Sequence, residues 1–376
     1  MKITALKATA INIPLLKPYH IAVLGTISST ASVILELHTD EGLIGIGETD
    51  PALMFTGESQ QTVMVMLEHH LGPAVLGMDP RDIEGIHAQM AAVTVGNPFA
   101  RAAIDLACHD AWGKSQEMPV FELLGGLVHE RIPVMWSLGS DTPENNAADA
   151  GEKVEEGYRT IGLKLGVLAP REDLARVGAV RNAVGSTIQI RCDANQGWDT
   201  ATAIRTIDQL EDYGVAMVEQ PVPKDDLEGM AAVARAVNIP IGVDESLSSL
   251  QDAEKAIEAQ AADFYSIKTT KHGGLLPSLK IRARVQAAGG QFFINSMIEM
   301  GVSVLSGLHF AASTPNLFQI GHALNSVRRL TDDVLAVPVE YDGGEIIVPQ
   351  DRLGLGAELD ESKMAHYAVG QVWVKA

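Results

Sequence analysis

Residues 187–246 read TIQIRCDANQGWDTATAIRTIDQLEDYGVAMVEQPVPKDDLEGMAAVARAVNIPIGVDES, a stretch in which strand-like and helical segments alternate. Three short strand-like runs are bounded by turn residues, namely Thr187–Asp193, Ala216–Glu219 and Ile241–Asp244. Between them, Asp199–Tyr213 and Asp225–Val237 show helical periodicity. This alternation predicts parallel strands joined by helices, an α/β architecture.

The same pattern continues on both sides of this stretch. The further candidate strands are Ile132–Ser137, Thr160–Leu165, Phe264–Lys268, Gln291–Asn295 and Phe318–Gly321. One strand, one helix and two short loops take about 25 residues. Eight such units predict a (β/α)8 TIM-type barrel. An open doubly wound sheet is the alternative, but no glycine fingerprint follows the first strand.

The regions that flank the barrel have a different character. Residues 1–58 carry strand signals, with residues 17–29 predicted as a loop, and residues 59–116 are helical, most clearly Pro98–Lys114 with Asn97 as its cap. A hairpin is predicted around residues 341–345, and we expect the tail to return to the N-terminal domain. The predicted organisation is an α+β domain at 1–128, a barrel at 129–330 and a returning segment at 331–376.

Composition excludes several classes of protein. The chain has 376 residues, 46% hydrophobic and 20% charged, which is ordinary for a globular protein. Its formal net charge of −20 repels phosphate backbones and anionic lipids, so neither a nucleic acid nor a membrane is an expected partner. With only two cysteines and no targeting or membrane segment in the sequence, we expect a cytoplasmic location.

A charged residue stands at the end of each middle strand. Lys164, Asp193, Glu219, Asp244 and Lys268 follow one another at intervals of 29, 26, 25 and 24 residues, once per βα unit. The C-terminal ends of barrel strands converge on one mouth, so these five side chains are expected to meet there. Any one of them alone is better explained as a loop charge or a helix cap, but five at one spacing favour a functional site.

Three crowded carboxylates repel one another, and a hard divalent cation relieves that repulsion. Oxygen ligands suit Mg²⁺ or Mn²⁺ and leave positions open for a substrate carboxylate. A carboxylate bound in this way can lose its α-proton, because the cation stabilises the enediolate. The base must be neutral near pH 7, and we expect a nearby cation and desolvation to lower the pKa of a lysine. Lysines on both sides could remove and return the proton.

With these residues in place, the chain resembles the enolase superfamily and, within it, the muconate-lactonising (muconate cycloisomerase) subgroup. The motifs that carry the resemblance are AAIDLACHDAWGK, FELLGG, DAN (193–195), VEQP (218–221), DES (244–246), IKTTKHGG (267–274) and LGLGAELDESKMAHY. The mandelate racemase subgroup is less similar, because it requires a His–Asp pair on the seventh and sixth strands. The resemblance implies an N-terminal capping domain completed by the C-terminal tail, and a homo-oligomer.

The resemblance also implies roles for individual residues. Asp193, Glu219 and Asp244 would bind the metal, and Lys164 and Lys268 would form the acid–base pair. Two further residues would orient the ligands, Asn195 and Glu245. Residues of two N-terminal loops would close over the mouth and select the substrate side chain, namely Tyr19, His20, Met54 and Phe55.

The sequence departs from the family pattern at two places. The family has Lys-x-Lys on the second strand, whereas here Gly162 precedes Lys164, which predicts a roomier site with less positive repulsion. The family carries acids on the eighth strand, whereas here His322 and Leu324 align there; this argues against a dipeptide epimerase, and His322 is a candidate substrate contact.

Three other residues near the predicted mouth have competing explanations. Glu299 matches an acidic position of the subgroup and either bonds Lys268 or caps a helix. Lys271 and His272 either contact an anionic substrate or belong to a turn that ends in two glycines.

The predicted activity is that of a metal-dependent isomerase that enolises a small carboxylate substrate, most like a muconate-type cycloisomerase. The alternatives are a racemase or epimerase of an amino-acid derivative, which two flanking lysines permit, and a dehydratase or o-succinylbenzoate-synthase-like eliminase. Outside the enzyme class, the alternative is a non-catalytic barrel, against which the five spaced charges argue.

Overall fold

The computed structural model describes residues 1–21 and 25–375, and the side chains of His20, Ile21 and Met54 lie outside this description. The N-terminal strands are β1 (Ile3–Ile11), β2 (Pro14–Ile21), β3 (Gly25–Ser29), β4 (Ser32–Thr39) and β5 (Ile44–Thr49). The helices that follow are α1 (Leu53–Thr56), α2 (Gln60–Met66), a π-helical segment (Leu67–Leu71), α3 (Gly72–Val75), α4 (Ile83–Val93), α5 (Pro98–Ser115) and α6 (Val120–Leu123).

Residues 17–21 and 25–29 of the segment predicted as a loop instead belong to the hairpin β2–β3, in which Tyr19 pairs with Ile27. The residues of β3 are exposed or half-buried, so the segment lacks the buried alternation by which strands are identified from sequence. The structure therefore adds a two-stranded element to the predicted N-terminal domain.

Helix α5 confirms the prediction for Pro98–Lys114 and packs directly on β5. A Cβ atom at Gly45 or Gly47 would lie 2.0 Å or 2.1 Å from a backbone oxygen of this helix, so only glycine permits the contact. Asn97 occupies the predicted N-cap position, before a proline in the first turn, but it has φ 56° and its side chain makes no hydrogen bond to the helix.

The barrel sheet contains seven parallel strands in the order of the chain. After β6 (Arg131–Pro133), its strands are β7 (Trp136–Leu138), β8 (Thr160–Lys164), β9 (Gln189–Asp193), β10 (Val215–Glu219), β11 (Ile241–Val243), β12 (Phe264–Ile267) and β13 (Gln291–Ile294). The outer helices are α7 (Pro143–Glu155), α8 (Pro170–Val184), α9 (Thr200–Leu210), α10 (Leu227–Ala236), α11 (Leu250–Glu258), α12 (Leu275–Ala287) and α13 (Gly301–Ala312). The predicted first strand is divided between β6 and β7.

The eighth predicted strand, Phe318–Gly321, is not a regular strand. A tight turn, in which Ile320 N donates to Phe318 O at 2.8 Å, interrupts its ladder. The segment still closes the barrel, because its backbone bonds to β13 through Phe318 and Ala323 and to the first barrel segment through His322. We call it the eighth stave.

The C-terminal part of the chain touches both domains. The predicted hairpin forms as β14 (Tyr341–Asp342) and β15 (Glu345–Ile347), and β15 pairs with β6. After α14 (Glu361–Tyr367), the last strand β16 (Ala368–Lys375) pairs antiparallel with β1 and gives the sheet order β16-β1-β4-β5. The predicted fold, a barrel with an α+β domain completed by the tail, is confirmed; the exact domain boundaries stay predictions. No helix in the described parts of the chain is long and apolar enough to cross a bilayer.

Candidate active site

The five predicted side chains stand at the same end of the barrel sheet. Lys164, Asp193 and Glu219 end three adjacent strands and are direct register partners. Asp244 follows β11 and Lys268 follows β12, so the five residues occupy consecutive staves two to six. Above them lies a cavity of about 410 Å³ whose lining includes both lysines.

The two lysines form ion pairs with different acids, namely the first and the last of the three strand-end acids. Lys164 Nζ lies 2.5 Å from Asp193 Oδ2, and Lys268 Nζ lies 2.7 Å from Asp244 Oδ2. Burial lowers the pKa of Lys164, but the charge and hydrogen bond of Asp193 outweigh it, so the pKa is raised overall. This is opposite to the lowering expected of a base, and a cation on Asp193 would reduce the effect.

Two further buried cations, Arg191 and Lys271, form ion pairs with the strand-end acids, and the sequence did not predict these pairs. Arg191 forms an ion pair with Glu219 Oε2, while Asn295 Nδ2 donates to Glu219 Oε1 at 2.8 Å. Lys271 Nζ lies 2.7 Å from Asp244 Oδ1 and donates to the Asp244 carbonyl at 2.5 Å. For Arg191 a signal existed, because it stands two residues before Asp193 and therefore on the same face of β9.

Lys271 and His272 do not line the cavity above the five side chains. Lys271 is completely buried against Asp244, and burial together with the charge of Lys271 lowers the pKa of His272 to about 3. The expectation that these two residues contact an anionic substrate is therefore wrong, since both are held inside the loop after β12.

The donor set at this end of the barrel fits a hard divalent cation. Asn195 Nδ2 donates to Glu245 Oε1 at 3.0 Å, whereas Asn195 Oδ1 and Glu245 Oε2 are buried without a partner in the described structure. Burial and the neighbouring charges of Asp244 and Asp193 raise the pKa of Glu245 to about 7. The unpartnered oxygens and the raised pKa of Glu245 both indicate more buried oxygen ligands than the protein's own donors satisfy.

No three acidic, cysteine or histidine side chains within residues 1–21 and 25–375 converge as a ready metal cage. Each of the three strand-end acids instead leans toward a cation, respectively Lys164, Arg191, and Lys268 with Lys271. The residue types fit the ion, and the protein's own cations neutralise them in this structure.

Glu299 neither caps a helix nor bonds Lys268. Its Oε1 accepts from Thr270 Oγ1 at 3.0 Å, and burial raises its pKa. The cap of α13 comes from Glu48, whose two oxygens accept from the backbone N–H of Met300 and Ser303 at 2.7 and 2.8 Å. In this structure Glu299 therefore contacts the loop after β12 through Thr270.

The N-terminal domain covers the cavity with aromatic rings. Tyr19 lines the cavity, its hydroxyl lies 2.5 Å from Ser137 Oγ, and it is one of the groups that raise the pKa of Lys164. The ring of Phe55 lies 4.5 Å from Lys268 Nζ. The predictions for His20 and Met54 concern side chains outside the described residues.

From its alignment, His322 was expected as a substrate contact. The structure places it outside the lining of the cavity. Its Nδ1 accepts from Ile294 N at 3.1 Å, its ring packs on Phe293, and burial lowers its pKa to about 3. Ala323 and Asn325 line the cavity instead of His322.

Gly162 does not leave a roomier site. A Cβ atom there would lie 2.9 Å from Met135 Sδ and 3.5 Å from Arg191 Cγ, so neighbouring side chains fill the space. The charge of Arg191 still acts to lower the pKa of Lys164, although that pKa is raised overall. The expectation of a roomier site is therefore wrong, whereas weaker positive repulsion than in the family stays a prediction.

Comparison with known families matches nearly the whole chain. Residues 3–125 match the N-terminal domain of the mandelate racemase / muconate lactonizing enzyme family, and residues 145–363 match the enolase C-terminal domain-like family. The chain belongs to the enolase superfamily. The resemblance drawn from the motifs is thereby confirmed.

Individual members of this superfamily align over almost their full length. N-succinyl-L-Arg/Lys racemase of Bacillus cereus is 37% identical over 99% of both chains, and the crystal structure of this B. cereus racemase has a TM-score of 0.96 over 100% of both. Muconate cycloisomerase 1 of Rhodococcus opacus is 33% identical over 96% of both. A dipeptide epimerase from Enterococcus faecalis, complexed with Mg and L-Leu-L-Tyr, is 36% identical with a TM-score of 0.91, covering 95% of this chain and 100% of that one.

These relatives are racemases, epimerases and cycloisomerases. The predicted class, an isomerase of the enolase superfamily, is confirmed. Racemases and epimerases, which were the alternative in the prediction, precede the cycloisomerases in similarity among these relatives, and the balance therefore moves from cycloisomerisation to racemisation.

Proposed function

We propose that this protein is a divalent-metal-dependent racemase or epimerase of an amino-acid derivative, with Lys164 and Lys268 as its two acid–base groups. The observation that carries the proposal is their placement on staves two and six, facing one cavity, each beside a different outer acid. Two amines on opposite sides are what exchange of an α-proton between two faces requires.

Asp193, Glu219 and Asp244 would hold the ion, which we propose to be Mg²⁺ or Mn²⁺. Oxygen donors suit these ions, and the related E. faecalis epimerase structure contains Mg. When bound, the ion supplies the positive charge that stabilises an enediolate formed from the substrate carboxylate. Asn195 and Glu245, bonded to each other, would hold these donors in place.

The chain's own groups perform the proton transfer. One lysine, as a neutral amine, takes the α-proton on its side of the substrate, and the other, as an ammonium, returns a proton to the opposite face. Tyr19 and Phe55 lie beside Lys164 and Lys268 respectively, and they would exclude water from the planar intermediate. The product has the inverted configuration, and the two lysines have exchanged protonation states.

A muconate-type cycloisomerase is the second candidate, supported by 33% identity to muconate cycloisomerase 1 across 96% of each chain. It is less favoured because the eighth stave presents Ala323 and Asn325 to the cavity rather than an acid. A small-molecule carboxylate is the proposed ligand in both cases; a cytoplasmic location and a homo-oligomer stay predictions.

The proposal is tested by incubating the protein with Mg²⁺ in D2O and following N-acetyl and N-succinyl amino acids by proton NMR and chiral chromatography. We expect α-proton exchange together with racemisation, both abolished by EDTA and restored by Mg²⁺ or Mn²⁺. Lactone formation from cis,cis-muconate without racemisation of any acyl amino acid would favour the second candidate instead.

Variants of the two lysines identify their roles. In Lys164→Ala and Lys268→Ala we expect racemisation to fall by about 10²- to 10⁴-fold, while each variant still exchanges the α-proton of one enantiomer through the remaining lysine. Lys255→Ala is the matched control, since this exposed lysine lies outside the cavity. Full racemisation by either active-site variant would contradict the assignment.

A further inference from the structure

One cation of the cavity has no acidic partner. Arg329 is half-buried, lines the cavity and ends a short 3₁₀ turn, Ser326–Arg329, directly after the eighth stave. Its guanidinium lies between the rings of Tyr19 and Trp136, at 4.7 and 4.4 Å, and donates to the Ser137 carbonyl. Within the described chain it forms no ion pair with a carboxylate.

The neighbouring arginine shows that acids are within reach of this turn. Arg328 lies outside the cavity, 3.6 Å from a Glu156 carboxylate oxygen, and donates to the Tyr158 hydroxyl at 2.7 Å. In the described chain, Arg181 and Arg282 are also half-buried without an ion pair to an acid, but neither lines the cavity, so Arg329 is distinguished by its position at the cavity wall. The two rings and one carbonyl fix its orientation and leave other donors of the fork free.

A second polar group beside Arg329 also lacks a partner. Ser326 is 4% exposed, lines the same cavity, and its Oγ has no hydrogen-bond partner in the described structure. Residues three apart in a 3₁₀ turn lie on one face, so Ser326 and Arg329 present their polar atoms together. Because Ser326 borders the cavity, the hydrogen bond that its hydroxyl lacks can be completed by a ligand atom there.

This pair lies across the barrel mouth from the three acids. The acids occupy staves three to five, whereas Arg329 follows the eighth stave and bonds to Ser137 of the first. In a ring of eight staves these positions are opposite each other. Lys164 and Lys268, on staves two and six, stand between the two ends of the cavity.

The acid that lines the cavity among the described residues, Asp50, already accepts hydrogen bonds on both oxygens. Asp50 Oδ1 accepts from Ala31 N and Asp50 Oδ2 accepts from Ile298 N, both at 3.1 Å. The charges of Lys164 and Lys268 are balanced by Asp193 and Asp244, whereas Arg329 adds a positive charge that no acid beside it in the described chain balances. A cavity wall with this charge selects an amino acid whose nitrogen is acylated and neutral.

We propose that the substrate is a dianion: an N-acylated amino acid whose α-carboxylate lies toward the three acids and their ion, and whose second carboxylate is bound by Arg329 and Ser326. A carboxylate matches the planar fork of a guanidinium, and the Ser326 hydroxyl can donate a further bond. This inference rests on the proposed function, because it takes the α-carbon to lie between the two lysines.

The second carboxylate has two possible sources, the acyl group and the amino-acid side chain. The test compares N-succinyl-L-leucine, N-acetyl-L-glutamate and N-acetyl-L-leucine in the Mg²⁺-loaded protein. We expect kcat/KM to be at least tenfold higher for one of the two dianions than for the monoanion. The preferred dianion identifies the source, and equal values for all three would overturn the inference.

Variants separate binding of the second carboxylate from catalysis. In Arg329→Gln we expect KM for the preferred dianion to rise about 10- to 100-fold with little change in kcat, and a rise at least tenfold smaller for N-acetyl-L-leucine, which lacks the second carboxylate. Arg329→Lys should lie between, and Ser326→Ala should show a smaller rise. Arg205→Gln, an exposed arginine on α9, is the control.

The outcomes distinguish this inference from the proposed function. If Arg329→Gln racemises all three compounds as the unchanged protein does, the carboxylate subsite is wrong and the racemase stands. If Arg329→Gln and Arg329→Lys, shown to be folded by circular dichroism, lose activity equally on the monoanion and the dianion, the subsite is also wrong. If the unchanged protein racemises none of the compounds, both proposals fail.

Discussion

Position 162 carries only a hydrogen atom where a side chain would point toward the thioether of Met135 and the stem of Arg191. At 2.9 Å from Met135 Sδ, an added Cβ atom is closer than real Cβ contacts, so something must shift. Met135 and Arg191 are linked in turn, because Arg191 Nη1 lies 3.2 Å from the Met135 sulfur. Since Arg191 pairs with Glu219, crowding at position 162 reaches a candidate metal ligand through two contacts.

We therefore expect Gly162→Ala to lower the free energy of unfolding by about 1–3 kcal/mol, the usual cost of overpacking a core. The loss should shrink by about 1 kcal/mol or more in a Met135→Ala background, because the obstructing atom is then absent. Urea denaturation of the two single variants and the double variant measures this coupling. Gly151→Ala, in open space on α7, is the control and should not destabilise; strictly additive effects of Gly162→Ala and Met135→Ala would contradict the prediction.

For single residues, the sequence predicts those whose position follows from the βα repeat. It does not predict contacts made by the loops that connect the repeats. Lys164, Asp193 and Glu219 were found because each ends a strand, and strand ends share one mouth. The pairing of Lys271 with Asp244 depends on how the loop after β12 folds back, which no spacing encodes. Ser326 and Arg329 depend on a single turn in the same way.

Among the elements, α5 and α13 are buried helices whose N-termini are capped by acids from distant parts of the chain. Glu58 accepts from the backbone N–H of Phe99 and Ala100 on α5, both at 3.1 Å. Glu48, at the end of β5, does the same for α13 and accepts with both oxygens. A carboxylate at a helix N-terminus satisfies free N–H groups and opposes the helix dipole.

Removal of the remote cap should cost more than removal of a local one. For Glu48→Ala we expect a loss of about 2–4 kcal/mol in unfolding free energy, because two buried N–H groups lose their acceptor. Glu48→Gln keeps one acceptor oxygen and should cost about half of that. Asp199→Ala, which removes an exposed local cap of α9, is the comparison and should cost about 1 kcal/mol. Equal losses at Glu48 and Asp199, measured by urea denaturation, would contradict this reasoning.

Remote capping also explains which elements the sequence predicts well. Helix α5 was located by its apolar periodicity, but its cap lies about forty residues earlier in the chain and has no local signature. The eighth stave was predicted as a strand since its composition fits one, and the only glycine or proline beside the turn at residues 318–320 is Gly321, which follows it directly. Local patterns give the elements, and their ends are decided by tertiary contacts.

At the scale of the whole molecule, one buried histidine joins three parts of the chain. His309 lies on the barrel helix α13, its Nδ1 accepts from Phe121 N of the N-terminal domain, and its Nε2 donates to the Leu355 carbonyl of the C-terminal segment, both at 3.2 Å. The ring also stacks on Phe121 with centroids 5.5 Å apart. Protonation of Nδ1 would remove the acceptor for Phe121 and leave a buried charge.

Burial lowers the pKa of His309 to about 4, well below the value of about 6.5 expected in the unfolded chain. Between these values the unfolded state binds a proton that the folded state does not. The stabilising contribution is therefore fully present above pH 6.5 and is lost progressively as the pH falls toward 4. At pH 5 the loss amounts to about 2 kcal/mol for this one group.

His309→Gln removes the titrating group and should remove that part of the pH dependence. Relative to this variant, we expect the unchanged protein to lose about 2 kcal/mol of unfolding free energy between pH 7 and pH 5. Urea denaturation at both pH values, monitored by circular dichroism, gives the difference and cancels the titration of other groups. Because His309 contacts both flanking segments, the two domains should unfold in one transition at pH 7. A difference between the proteins that does not vary with pH would show that the imidazole is not held neutral at this junction.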